Sequence, residues 1–182
     1  VTERQANLLV IAYEEGTRIG FPETIQSILW QESLRGSKVA SPGGIVGDDR
    51  YAYNDPNGRF KKGDKRAFGD KSYGICQIRI NTAKEILRQY PDLGRFNHDE
   101  ELLVALLTND RFNIRLASRY FKMQLDQFKG PGGWGKAVLS YNRGAGGVRK
   151  RPNHDPNDYE ASVWSHIVNF IRPFNQGKIQ HK

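Results

Sequence analysis

One cysteine, Cys76, stands in 182 residues. A lone thiol closes no intrachain disulfide, so secretion stays open but no disulfide framework argues for it. Long apolar runs are missing too. The longest extend only a few residues, far short of the roughly 20 that a membrane-spanning helix needs. His98, His154, His166 and His181 show no ligand spacing, and one cysteine cannot complete a zinc site. The aspartates between residues 48 and 70 lack the EF-hand pattern. "GAGG" (144–147) follows a helical pattern rather than a strand, so a phosphate-binding loop fails on context. No metal and no cofactor is therefore expected. No internal repeat is visible. The chain opens at Val1 with no signal peptide, which suggests a processed product or a domain of a longer protein.

Acidic residues are the minority, 20 against 28 Lys and Arg, giving a formal net charge of +8. The excess serves solubility, or it serves an anionic polymer such as nucleic acid, teichoic acid or bacterial cell wall, and charge alone does not choose. "RKRP" (149–152) is short enough to read as a solvated turn rather than a nucleic-acid patch. Hydrophobic residues at 37% and charged residues at 26% make a folded globular chain, not a disordered one. The length fits one domain with a real core.

The chain reads as mostly helical. Thr2-Glu3-Arg4-Gln5 is a capping box opening a helix within residues 1–20, with Ala6, Leu9, Ala12 and Tyr13 on its apolar face and Gly16 as its stop. Pro22 suits the first turn of a second helix that ends by Gly36. Residues 43–70, rich in glycine and turn residues, read as a long loop insertion, which in a compact domain is usually functional or mobile. "GICQIRI" (74–80) alternates Cys76, Ile78 and Ile80 against Gln77 and Arg79, the period of a short strand. A second capping box, Thr82 to Glu85, opens a helix to about Tyr90. Further helices are expected over 99–107, 110–128 and 134–141, then a glycine-rich loop to Gly147. A last helix runs from near Asp158 to Pro173, with Tyr159, Val163, Ile167 and Phe170 inward.

Glu32 is the sharpest residue. In "ILWQES" (28–33) it lies four residues after Ile28 and three after Leu29, on their apolar stripe near a helix end. Desolvation there, with the negative end of the helix dipole, favours the protonated acid that general-acid chemistry requires. The alternative is a slightly rotated helix that leaves Glu32 a solvated edge residue.

Four ordered segments bear on that choice. "QESLRGSKVASP" (31–42), "YGICQIRINTA" (73–83), "NDRFNIRLASRYF" (109–121) and "AVLSYNRGAGGV" (137–148) resemble the signature segments of soluble lytic transglycosylases and goose-type lysozymes. The resemblance runs from Pro22 to about Phe170. It implies a mainly α, α+β lysozyme-like fold: a helical bundle around a substrate cleft, with one small β-hairpin region and the long loop, as a single catalytic domain over 1–182. It implies cleavage of the β-1,4 bond between N-acetylmuramic acid and N-acetylglucosamine in peptidoglycan. Glu32 matches the family's catalytic acid. Ser41, Gly74, Gln77, Tyr141 and Asn142 match positions that hold sugar or orient the acid, the residue types that saccharides need. Without the resemblance, Tyr141 reads equally as core, Gln77 as an exposed strand residue, and Ser41 and Asn142 as turn residues.

The sequence departs from the family in places. Ser140 replaces an Ala before Tyr-Asn. Cys76 stands where Met is frequent, and reads as an inward apolar residue rather than a reactive thiol. Lytic transglycosylases work with one Glu, the substrate's N-acetyl group assisting and its 6-hydroxyl closing a 1,6-anhydro ring. Goose-type lysozymes add aspartates that position water. "FGDKSYG" (68–74) resembles the goose-type segment and offers Asp70 for that role, with Asp48 and Asp49 as looser candidates. Arg79 stands where goose-type lysozymes tend to carry an Asp, which favours the transglycosylase. The partner implied is bacterial peptidoglycan, met by a monomer in the periplasm or cell wall, whether secreted, virion-associated or phage-released as an endolysin. Nucleic acid is not expected as a partner. The competitor from another class is a non-catalytic wall-binding or virion structural module.

Overall fold

A computed structural model describes residues 1–34, 72–150 and 158–179. The expected insertion at 43–70 lies outside them. The described chain is mainly helical with a single two-stranded sheet among these residues. It divides into two compact units, Val1–Gln31 with Ser118–Lys182, and Glu32–Ala117.

The first unit opens with α1, Glu3–Thr17. Its capping box forms as the sequence expects: the Gln5 amide donates to Thr2 Oγ1 at 3.2 Å and the Thr2 amide donates to Gln5 Oε1 at 2.8 Å. Each satisfies a backbone donor that a helix start leaves open. The buried face runs through Ala6, Leu8, Leu9, Ala12 and Glu15, whereas Tyr13 is exposed. The apolar stripe is thus rotated away from the tyrosine that the sequence pattern included.

α1 packs on α2, Pro22–Leu29. Ile25, Ile28 and Leu29 are fully buried, and so are the polar residues between them. Ser27 Oγ donates to the Val163 carbonyl at 2.7 Å, and Gln26 Nε2 donates to the Leu9 carbonyl at 3.1 Å. Trp134 Nε1 donates to Thr24 Oγ1 at 3.1 Å. These bonds are what let a helix be buried almost all round, since unpartnered polar groups would cost more than the packing returns.

The second unit holds a hairpin of β1, Ser72–Tyr73, and β2, Ile78–Arg79, paired antiparallel with Tyr73 opposite Ile78. The expected strand over 74–80 is shorter than its alternation suggests, because residues 74–77 form the turn. Burial still alternates: Cys76, Ile78 and Ile80 are buried and Arg79 is exposed. α3, Ile80–Gln89, starts directly after β2. Its N-cap is Arg79, with no side-chain cap, so the Thr82 capping box does not form. A 3-10 turn, Pro91–Leu93, leads to α4, Asp99–Thr108, which buries Leu102, Leu103, Leu106 and Leu107. α5, Asp110–Gln127, carries Phe112, Ile114, Leu116 and Ala117 into the core of this unit and Phe121 into that of the first.

α6, Gly133–Lys150, corrects the expected short helix and loop. It is two helices that meet at a kink at Gly144, whose φ of 70° and ψ of 157° no helix accommodates, and the first of them runs past Tyr141. α7, Tyr159–His166, is capped by Asp158. A π-helical segment, Ile167–Ile171, and α8, Arg172–Asn175, follow without a stop at Pro173. That proline falls in the first turn of α8, where a missing N–H is tolerated. Val163 and Ile167 are buried as the pattern requires, while Tyr159 and Phe170 are half-buried. No helix among the described residues is long and apolar enough to cross a membrane.

Gly16 gives a test of this packing. A Cβ there would sit 2.6 Å from Pro22 Cα and 2.9 Å from the Phe21 carbonyl oxygen. Helix propensity alone would make Gly16→Ala stabilising by about 1 kcal/mol. The clash is with backbone that cannot swing away, and overpacking costs about 1–3 kcal/mol. The variant is expected to be less stable in urea titration than the wild type.

Candidate functional site

The turn Gly74-Ile75-Cys76-Gln77 is the most constrained piece of the second unit. Two of its residues take the left-handed region: Gly74 with φ 72°, and Gln77 with φ 54°, the one positive-φ residue other than glycine among those described. Glycine is required at 74 for a further reason. A Cβ would lie 2.1 Å from Asn113 Nδ2 and 2.2 Å from the Leu106 carbonyl oxygen. Gln77 offsets the strain of its backbone, about 1 kcal/mol or more, by closing the turn on itself. Its amide and its side-chain Nε2 both donate to the Gly74 carbonyl, each at 2.9 Å.

Asn113 holds the turn from α5. Its side chain is fully buried. Oδ1 accepts from the Cys76 amide at 2.8 Å, and Nδ2 donates to the carbonyls of Tyr73 at 3.0 Å and Leu106 at 3.2 Å. One amide group thus satisfies three buried backbone groups, which few residue types can do. From the other direction Ser33 Oγ donates to the Ile75 carbonyl. Every peptide of the turn has a fixed partner.

Ser33 is the residue after Glu32. Both belong to a π-helical segment, Trp30–Leu34, that continues α2. Wider than an α-helix, such a segment displaces later residues from the 3.6-residue stripe, and single turns of this kind are frequent at functional sites. Ile28 and Leu29 are therefore fully buried while Glu32 is half-buried, between the two readings of its stripe position. Glu32 is also electrically close to the turn. Burial pushes the Cys76 thiol well above its ordinary pKa, and the negative charges of Glu32 and Asp110 push it further. Cys76 is accordingly an inward, protonated thiol, without the thiolate that reactivity needs.

In the first unit two contacts hold the residues that precede Glu32 in sequence. Trp30 stacks on Phe170, with ring centroids 3.8 Å apart, and Gln31 Oε1 lies 2.8 Å from His166 Nε2. Phe170 sits in the second π-helical segment, and His166 immediately precedes it.

Of the residues singled out by sequence, Glu32, Gly74 and Gln77 fall together in the second unit. Tyr141 and Asn142 fall on α6 in the first. Tyr141 is half-buried, stacked 6.4 Å from Tyr159 and tilted 5.6 Å from Tyr120, and Asn142 is exposed. Ser41, Asp48, Asp49 and Asp70 lie outside the described residues. Sequence reasoning missed the anchoring by Ser33 and the contacts of Gln31 and Trp30. It recognised Asn113 as part of a motif without a role. The available signal was the pairing of a short polar residue beside Glu32 with a Gly-x-x-Gln turn whose backbone would need partners. Among the described residues no group of three or more His, Cys, Asp or Glu is placed to hold a metal ion.

A family model described as the transglycosylase SLT domain matches residues 9–162. The chain belongs to this family. Membership supports peptidoglycan lytic transglycosylase activity in general, with the wall polymer as substrate. No curated protein and no solved structure matched the chain. In this SLT domain the match takes in both the Glu32 segment and the Asn113-held turn.

The Cys76 environment predicts a pH dependence. The folded pKa is raised above the thiol's ordinary 9.0, so above that pH the unfolded chain loses a proton that the folded chain keeps. This contribution to stability is whole below the unfolded pKa and is lost as pH rises, by about 1.4 kcal/mol per unit. Cys76→Ala lacks it. In urea titrations between about pH 8 and 10.5, the wild type is expected to lose stability more steeply than the variant. Parallel pH curves would contradict the assignment.

Proposed function

We propose that residues 1–182 act as one lysozyme-like catalytic domain, with 43–70 an insertion. It cleaves the MurNAc–GlcNAc β-1,4 bond as a lytic transglycosylase with Glu32 as its single catalytic acid. The observation that carries this reading is the setting of Glu32. It is half-buried, it precedes the Ser33 that bonds the turn, and its charge reaches the buried Cys76 of that turn. A group held against fixed backbone loses little on adopting a reactive geometry.

In this mechanism Glu32 gives its proton to the glycosidic oxygen as the bond to C1 of the muramic residue breaks. The N-acetyl oxygen of that residue takes up C1. Its 6-hydroxyl then attacks C1, expels the N-acetyl oxygen, closes the 1,6-anhydro ring and returns its proton to the Glu32 carboxylate. No water is consumed, so the second carboxylate of ordinary glycosidases is not required. Gln77 and Gly74 present the turn to the sugar, and Tyr141, Asn142 and Ser41 supply aromatic, amide and hydroxyl contacts. Arg79, exposed on β2, supports the transglycosylase over the goose-type hydrolase, in which Asp70 would hold the attacking water. The enzyme works as a monomer in the periplasm or cell wall, released by secretion, from a virion or as an endolysin, and does not bind nucleic acid.

Glu32→Gln is expected to abolish wall lysis while the fold persists, since the amide is nearly isosteric but supplies no acidic proton. Clearing of sacculi at wild-type rate by a folded Gln variant would remove Glu32 from the catalytic role, whereas binding without clearing by the folded wild type would leave a wall-binding or virion structural module as the better reading. Digestion in oxygen-18 water separates the two mechanisms: the proposal expects 1,6-anhydro ends, no label, and most of the rate retained in Asp70→Asn. Labelled reducing ends, with a loss of about a hundredfold in Asp70→Asn, would establish the goose-type hydrolase.

A further inference from the structure

A second feature of the Glu32–Ala117 unit has no part in the turn or in Glu32. A cleft of about 640 Å³ opens between α3, α4 and the connection joining them. Pockets of this size take small organic molecules rather than single ions. Its floor is apolar, made by Leu87, the buried Leu102 and the Phe96 ring. Phe96 packs against Phe112, with centroids 5.5 Å apart. Gly94, at φ 142°, turns the chain there. The Asn97 amide donates to Glu101 Oε2 at 3.0 Å and pins the connection to the first turn of α4. The cleft therefore has walls fixed by packing and hydrogen bonds.

Its rim is basic. Lys84 and Arg88 stand on α3 one turn apart, and Arg95 and His98 stand on the connection. Among the described residues Asp99 is the one acid in the lining, and it is engaged by Lys84, Nζ to Oδ1 at 2.9 Å. Arg88 uses Nε on the Lys84 carbonyl, at 3.4 Å. Among the described residues no carboxylate lies within salt-bridge distance of the Arg88 or Arg95 guanidinium. Two exposed guanidinium groups thus border apolar side chains with no carboxylate partner among the described residues.

That combination selects among anions. A planar guanidinium pairs with carboxylate or phosphate through two parallel hydrogen bonds. A bare phosphate or a polyol phosphate chain has no use for Leu87, Leu102 and Phe96. A short peptide with small apolar side chains and a free C-terminal carboxylate uses both parts. We propose that this cleft binds the carboxylate-ended peptide stems of the cell wall, with the carboxylate on Arg88 and Arg95 and the alanyl methyl groups on the apolar floor. The choice of occupant rests on the peptidoglycan reading, while the site itself rests on the cleft. Its role is to hold the enzyme on cross-link-poor wall, where free stems are exposed, and the net charge of +8 adds long-range attraction to the same polymer.

The test is an NMR titration of the full chain with acetyl-D-alanyl-D-alanine and, separately, with inorganic phosphate. The dipeptide is expected to shift the amides of Arg88, Arg95 and His98 saturably, and Arg88→Ala/Arg95→Ala to weaken it about tenfold or more. Saturable shifts with phosphate and none with the dipeptide would overturn the peptide assignment in favour of a phosphate-bearing wall polymer. No shift with either would overturn the site. The double variant is further expected to lose activity on intact sacculi but not on peptide-free glycan strands, and equal loss on both would count against it. Binding is read without catalysis, so dipeptide binding beside an inert Glu32 would refute the proposed reaction and leave the cleft standing.

Discussion

The carboxamide of Asn113 is the interaction on which the rest of the second unit depends. It gives one acceptor and two donors to three backbone groups that have no water to turn to. Each unsatisfied buried group would cost about 1–3 kcal/mol, so this amide decides whether the 74–77 turn is ordered. The requirement spreads outward. Gly74 must lack a side chain because Asn113 and Leu106 occupy its space. Gln77 must accept a left-handed backbone because the turn is only four residues long. Ser33 must bring a hydroxyl to the Ile75 carbonyl that Asn113 does not reach.

Glu32 inherits its surroundings from this arrangement. It sits where a buried α-helix gives way to a π-helical segment, and its neighbours in sequence make separate contacts. Gln31 and Trp30 are tied to His166 and Phe170 in the first unit, and Ser33 to the turn in the second. The Ser33 bond fixes the backbone that directly follows that carboxylate. The SLT family match supports peptidoglycan transglycosylase activity in general, and the proposed function makes that carboxylate its acid. The cleft beside α3, as proposed, would meet the same polymer by other means, with charge and apolar surface in place of an acid.

Much of this was legible in the sequence where a local rule acted alone. The Thr2 capping box and the burial of Ile28 and Leu29 follow from capping and periodicity, and they appear as expected. Readings failed where tertiary partners overrode the local rule. Thr82 offers a good cap, yet β2 hands directly into α3 and the helix starts earlier. Residues 74–77 alternate like a strand, but a positive φ at both ends makes them a turn. At Gly144 one helix ends and another begins where a loop was expected, and Pro173 starts a turn it was expected to stop. For the site, residue types and order pointed to Glu32, Gly74 and Gln77. The service of Ser33 and Asn113 was hidden, because it depends on which backbone groups are left without partners once the chain is folded.

Hydrogen exchange of the Cys76 amide in the wild-type protein tests the central claim directly. If Asn113 and Ser33 hold the turn as described, that amide exchanges as slowly as the buried helical amides around Ala117, although it lies in a four-residue turn. Exchange as fast as that of the exposed glycines at 130 and 132 would contradict the claim, since it would show that the turn opens freely and that Glu32 has no fixed backbone beside it.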